Sequence, residues 1–102
     1  MADSTRTEWP LTYQRLIEIA ESLDGQTLHT VTGKAYTVGL YRHVPFFTPA
    51  SSGYGQGDGR KATQRFVERY NETRSLRPGD YTDVTRNASY LIGMLIAVSP
   101  RE

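Results

Sequence analysis

The stretch Thr82–Val98, TDVTRNASYLIGMLIAV, constrains this chain more than any other. Val84, Ala88, Leu91, Leu95 and Val98 recur at i, i+4, i+7, i+11 and i+14, an apolar stripe at helical period. Ile92 and Ile96 widen the stripe in the second half. Thr85, Arg86, Asn87, Ser89 and Tyr90 leave the first half polar round most of its circumference. The spacing therefore predicts a helix over 82–98, with one end in a core and the other meeting water or a partner. Pro78-Gly79 supplies the preceding turn, Asp80 or Thr82 the cap, and Ser99-Pro100 the stop.

Such a stripe needs surfaces to pack on. Pro10 to Gly25 reads as a first helix, because proline suits a first turn and glycine a left-handed stop. Tyr13, Leu16, Ile17, Ala20 and Leu23 would line its buried face, with Arg15, Glu18 and Glu21 in water. Gln26–Val31 and Lys34–Leu40 are rich in Thr, Val and Tyr and form a hairpin across Thr32-Gly33. Alternation puts Tyr36, Val38 and Leu40 on one face. Arg42-His43 then turns the chain into a third run, Val44–Thr48. There Pro45 cannot donate a ladder hydrogen bond and marks an edge or a bulge. A second helix covers Arg60–Thr73, with Ala62, Phe66 and Tyr70 at i, i+4, i+8, Val67 beside them, and Leu76 folding back under the pair.

The expected order is α-β-β-β-α-α. This is an α+β domain with a three-stranded antiparallel sheet, one N-terminal helix and two C-terminal helices. A chain of 102 residues makes one domain, 1–102. Residues 1–8 are expected to be frayed, and 49–59 to be a flexible glycine-rich loop.

Several chemistries find little to use. There is no cysteine, hence no disulfide, thiol chemistry or cysteine metal site. The start MADSTRTEW has no apolar core of a secretory signal, and Leu91–Val98 is too short to span a bilayer, so the default expectation is cytoplasmic. His29 and His43 are the only histidines, and neither has an acid at metal-ligand spacing. No metal and no cofactor is expected. Ser51 or Ser52 with His43 and Asp58 can be drawn as a hydrolase, but without a strand–nucleophile–helix elbow or an oxyanion hole. Glu68 and Glu72 share a helical face, yet a paired-carboxylate enzyme needs a cleft that a chain this short hardly builds. The loop PASSGYGQGDG repeats glycine at 53, 55, 57 and 59. It matches neither the dinucleotide fingerprint nor the Gly-Lys-Ser/Thr ending of a phosphate-cradling loop. The chain reads as non-enzymatic.

Charge gives the positive clue. The net charge of +1 conceals an asymmetry: residues 1–32 sum to −3, whereas 33–77 carry eight bases against three acids, +5. The glycine loop runs straight into Arg60-Lys61 at a helix start, where free N–H groups and the helix dipole favour an anion. Lys61, Arg65 and Arg69 follow at i, i+4, i+8 on the side opposite Phe66, Val67 and Tyr70. Like charges at that spacing repel, and a polyanion would relieve them. Glu68 and Glu72 offer the plainer alternative of intrahelix partners. Arg74 and Arg77 extend the patch, and Arg86 and Asn87 at the start of the last helix are types that contact base edges.

The leading expectation is a nucleic-acid-binding domain for duplex DNA. Arg60, Lys61, Arg65 and Arg69 would hold phosphates, and Arg86 and Asn87 would read bases. The second expectation is a protein-interaction or homodimerisation module, using the edge strand Val44–Thr48 or the aromatics Tyr41, Phe46 and Phe47.

Two segments also carry a resemblance. Leu23, Gly25, Thr30, Gly33 and Tyr36, followed by Ser52-Gly53 and Arg60, resemble small α/β modules that accompany restriction endonucleases and other DNA-acting bacterial proteins. In those, a Leu–Gly–Thr-x-x-Gly-x-x-Phe/Tyr hairpin precedes a Ser-Gly-basic loop and a helix. The match covers about half the chain and contains no catalytic motif. It implies a DNA partner. Winged-helix domains are the nearest general comparison, but here the strands precede the helix pair and no wing follows the last helix.

Overall fold

A computed structural model describes residues 9–57 and 59–99. Expectations for residues 1–8, Asp58 and Pro100 lie outside the described residues. In order, the elements are α1 (Tyr13–Ser22), β1 (Thr27–His29), β2 (Ala35–Tyr41), β3 (Val44–Pro49), α2 (Gly59–Thr73), a 3-10 turn (Pro78–Tyr81) and α3 (Ala88–Ala97). The class is the expected one: a helix, a three-stranded antiparallel sheet in the order β1-β2-β3, then two helices and a 3-10 turn.

α1 starts later than Pro10. Thr12 is extended (φ −118°, ψ 160°), and its hydroxyl accepts from the Arg15 N–H at 3.0 Å, so it is the N-cap. The preceding Leu11 is stitched to α2 instead. Its N–H donates to Asn71 Oδ1 and its carbonyl accepts from Asn71 Nδ2, both at 2.7 Å. Trp9 Nε1 donates to the Asn71 carbonyl at 3.1 Å. The helix ends on Leu23, and Gly25 takes φ +78° to turn the chain into the sheet. Ile19 joins the expected buried face, while Tyr13 is only half-buried.

In the sheet, Tyr36 and Val38 of β2 and Pro45 and Phe47 of β3 point inward. Thr37, Gly39 and Tyr41 of β2 and Val44, Phe46 and Thr48 of β3 form the outer face. Arg42-His43 is a two-residue hairpin turn with both residues left-handed, φ 53° and 64°. That is the turn whose twist suits two strands, made here without the usual Asn-Gly. β3 is the edge strand, as expected of a strand holding Pro45, but its middle is not open. Phe47 N–H donates to the Gln56 carbonyl (2.9 Å), and Gln56 N–H returns to Phe47 (2.7 Å).

The last helix is shorter than its apolar stripe. α3 begins at Ala88 rather than Thr82. The run Thr82–Asn87 forms turns because its side chains bond their own backbone: the Asn87 N–H donates to Thr85 Oγ1 at 3.0 Å. Asp80 and Thr82 are not its caps. Asn87 holds the cap position, and its side chain makes no capping bond. The polar stretch before α3 is only partly exposed: Thr85 and Asn87 are buried, at 6% and 2%, while Thr82 and Arg86 face solvent. α3 is enclosed on nearly every side, with Leu91, Ile92, Met94 and Leu95 all in the core. It crosses the sheet at Gly93, where a Cβ would run into the Tyr36 hydroxyl and lie 3.2 Å from the His29 carbonyl. That hydroxyl donates to the Tyr90 carbonyl at 2.8 Å, and burial pushes its pKa up. The middle of α2 packs Phe66 against Tyr81, ring centroids 4.7 Å apart.

Candidate nucleic-acid interface

The basic helix α2 divides into two halves. Thr63, Phe66, Val67 and Tyr70 bury one face, which fixes where the charges must point. Arg60, Lys61 and Arg65 are exposed and line one shallow depression with Gln64 and Glu68. None of the three forms an ion pair among the described residues. Arg60 instead lies over the Tyr13 ring, 5.0 Å from its centroid. The Tyr13 hydroxyl in turn donates to the His43 carbonyl at 2.8 Å. Burial raises the Tyr13 pKa, and Arg60 pulls against it. This three-part contact brings the start of α2 to the β2–β3 turn.

The turn adds a cation and an aromatic pair that the charge pattern did not place there. Arg42 lies 5.3 Å from the Tyr41 ring centroid. Tyr41 is 57% exposed, and Phe46 lies beside it on the outer face, centroids 5.7 Å apart and planes tilted by 42°. Together with Val44, Pro45, Gly57 and Gly59 they line a hollow of about 350 Å³. The glycine loop forms one wall. A Cβ at Gly55 would overlap the Phe46 ring, and one at Gly57 would lie 3.1 Å from the Pro45 carbonyl, so glycine is what lets the loop lie flat on Phe46. A hairpin with two exposed residues at its tip was the one sequence signal for Arg42. The link from this turn to Arg60 runs through Tyr13, which nothing in the sequence connects to His43.

The other expected site residues lie elsewhere. Arg69 is committed: its guanidinium makes two bonds to the Asp83 carboxylate, at 3.1 and 2.8 Å, and one to the Asp80 carbonyl at 2.8 Å. The bond from Arg69 holds the Asp83 carboxyl below its usual range, and Asp83 holds the Arg69 pKa up. Arg74 lies over Trp9, 4.8 Å from the ring centroid, and Arg77 pairs with Asp80 at 3.5 Å. Beyond Arg65 the surface holds Glu68, Glu72 and Asp83, so the unpaired cations end there. Arg86 is exposed but lines a separate depression with Pro78, Gly79, Thr82 and Ser89. Asn87 is 2% exposed, which keeps its side chain from reading bases, and its Oδ1 has no hydrogen-bond partner among the described residues.

The other arrangements fare similarly. Phe47 is 2% exposed, and the middle of the β3 edge is occupied by Gln56, so the edge-strand surface keeps only Tyr41 and Phe46 of its aromatics. His43 and Ser51 sit beyond opposite ends of the six-residue β3, which at about 3.3 Å per residue keeps a Ser–His pair apart. No group of three or more His, Cys, Asp or Glu that could hold a metal occurs among the described residues, and none of their helices is long and apolar enough to cross a membrane. Comparison with family models, curated proteins and solved structures found no match.

Proposed function

We propose that this domain binds nucleic acid through its phosphate backbone, using Arg60, Lys61 and Arg65 of α2 and Arg42 of the β2–β3 turn. The observation that carries this reading is that four exposed cations, with no ion pair among the described residues, line two depressions joined through the Arg60–Tyr13–His43 contact. Unpaired cations crowded in this way repel one another, and a polyanion converts that repulsion into attraction. Arg69, Arg86 and Asn87 have no part in it. With Asn87 buried and Arg86 on a separate depression, base-reading in a duplex major groove loses the paired readers it was expected to have.

The test is fluorescence anisotropy of labelled oligonucleotides of mixed sequence, single-stranded and duplex, over a salt series. Three or four phosphate contacts give a slope of log K against log salt of roughly −2 to −3 for a single strand. Lys61→Glu with Arg65→Glu should remove the binding. Absence of binding even at low salt would overturn the reading.

A further inference from the structure

The proposed phosphate contacts leave the hollow lined by the touching rings of Tyr41 and Phe46 without a use. It is a built feature. Gly55 and Gly57 pack on Phe46, so that ring is held in place before any ligand arrives. Tyr41 packs tilted against it, centroids 5.7 Å apart, and keeps 57% of its surface in water, so a ring face stays open on the side of the hollow. The Arg42 guanidinium, itself planar, stands at the Tyr41 ring. Gly57 and Gly59 present backbone rather than side chains.

Charge sets the direction in which a ligand lies. On the β1 side of the sheet, Asp24 Oδ1 approaches the outer face, 3.3 Å from where a Gly39 Cβ would stand. On the opposite side the loop leads to Arg60 and Lys61. A strand of nucleic acid therefore keeps its phosphates on the Arg42–Arg60–Lys61 side. Its bases then face the aromatic pair. Asp58, the one acid in residues 49–61, lies outside the described residues.

Resting on the nucleic-acid reading above, we infer that the hollow bordered by Arg42, Tyr41 and Phe46 receives an unpaired base, which makes single-stranded nucleic acid the ligand. A base in a duplex is stacked on its neighbours and cannot enter. An unpaired base presents a free face to a ring or a guanidinium, whatever its identity. The inference thus assigns sequence-tolerant single-strand binding, with stacking from Tyr41 and phosphate contacts from the four cations.

Three ligands of equal charge separate the parts: a thymidine oligonucleotide, its abasic counterpart, and a duplex carrying the same number of phosphates in reach. The single strand should bind tightest. Tyr41→Ala should weaken it by roughly tenfold, within the range for loss of one stacked base. The abasic strand should lose a similar factor, and Tyr41→Ala should cost it nothing further. Tyr41→Phe should bind as the parent does, and the salt slope should not move in either variant. Tyr41 is exposed and outside the core, so the variant folds, as near-ultraviolet circular dichroism will check. Equal affinity for the thymidine and abasic strands, or a Tyr41→Ala loss as large on abasic strand and duplex, would overturn the base site while leaving the phosphate reading intact. Failure of all three to bind at low salt would instead remove the phosphate reading itself.

Discussion

The two ends of α2 use the same residue type in opposite ways. At its start Arg60, Lys61 and Arg65 stand without acidic partners among the described residues. Toward its end every basic or amide group is spent on the fold. Arg69 holds Asp83 and the Asp80 carbonyl, Asn71 holds both polar groups of Leu11, and Arg74 covers Trp9. The periodicity of charge is continuous along the helix, so a charge pattern cannot tell the ends apart. What differs is whether a neighbouring element brings an acid or a carbonyl within reach. The 3-10 turn and the residues after it do so at one end. At the other end, among the described residues, the β2–β3 turn brings Arg42, a backbone carbonyl and aromatic rings.

The comparison is broken most sharply at Asn71. Its amide satisfies the N–H and the carbonyl of Leu11, a residue 2% exposed. Asn71→Ala leaves both without their partner, at a cost of about 3 kcal/mol. Chemical denaturation should show that loss, while oligonucleotide affinity of the folded fraction stays unchanged. Lys61→Glu with Arg65→Glu should do the reverse. Affinity should fall by at least tenfold, about 1.4 kcal/mol, with the denaturation midpoint unmoved. If both variants lose stability and neither loses affinity selectively, the division between the ends is wrong.

The β2–β3 turn sharpens the contrast on a smaller scale. Arg42 and His43 both hold left-handed backbone, which non-glycine residues adopt at a cost. Asn-Gly would suit this turn better. Replacing them, Arg42→Asn with His43→Gly, should stabilise the domain by about 1 kcal/mol. It should also weaken single-strand binding a few-fold by removing one cation and reducing the salt slope by roughly one contact. Stability gained with affinity lost is the signature of a turn kept for its side chains.

Much of the architecture was legible because it follows from local rules. Phe66, Val67 and Tyr70 mark the buried face of α2 by spacing alone, and Tyr36 and Val38 mark the inner face of β2 by alternation. The start of α3 departs from its period because Thr85 and Asn87, residue types that suit a helix surface, form a buried turn closed by Thr85. The site was half legible. Arg60, Lys61 and Arg65 stand out as a cluster in one dimension. Arg69 looks identical to them, since its partner Asp83 is 14 residues away and its nearer helical neighbours, Glu68 and Glu72, mask the fact. Tyr41 and Arg42 entered the site only through tertiary contacts of Tyr13 and the glycine loop, which no period encodes.

The smallest effect lies in the pH response of the committed end. The Arg69 guanidinium bond holds the folded Asp83 carboxyl below the value it has when unfolded, about 3.9. The Ser75 hydroxyl, helped by Arg77 and Arg69, does the same for Asp80. A folded pKa below the unfolded one adds stability at pH values above the unfolded value, and that stability is lost as pH falls through the folded value. Thermal midpoints of the parent and Asp83→Asn should therefore differ above about pH 5 and converge toward pH 2 to 3. Asp83 is open to solvent, so the gap at neutral pH is small and shrinks further with salt. Lys61 and Arg65 make no such carboxylate bond among the described residues, so Arg65→Gln should give a midpoint curve parallel to the parent's at every pH. A pH-dependent gap for Arg65→Gln would mean that the open end of the helix carries an ion pair after all, and with it the distinction between the two ends would fall.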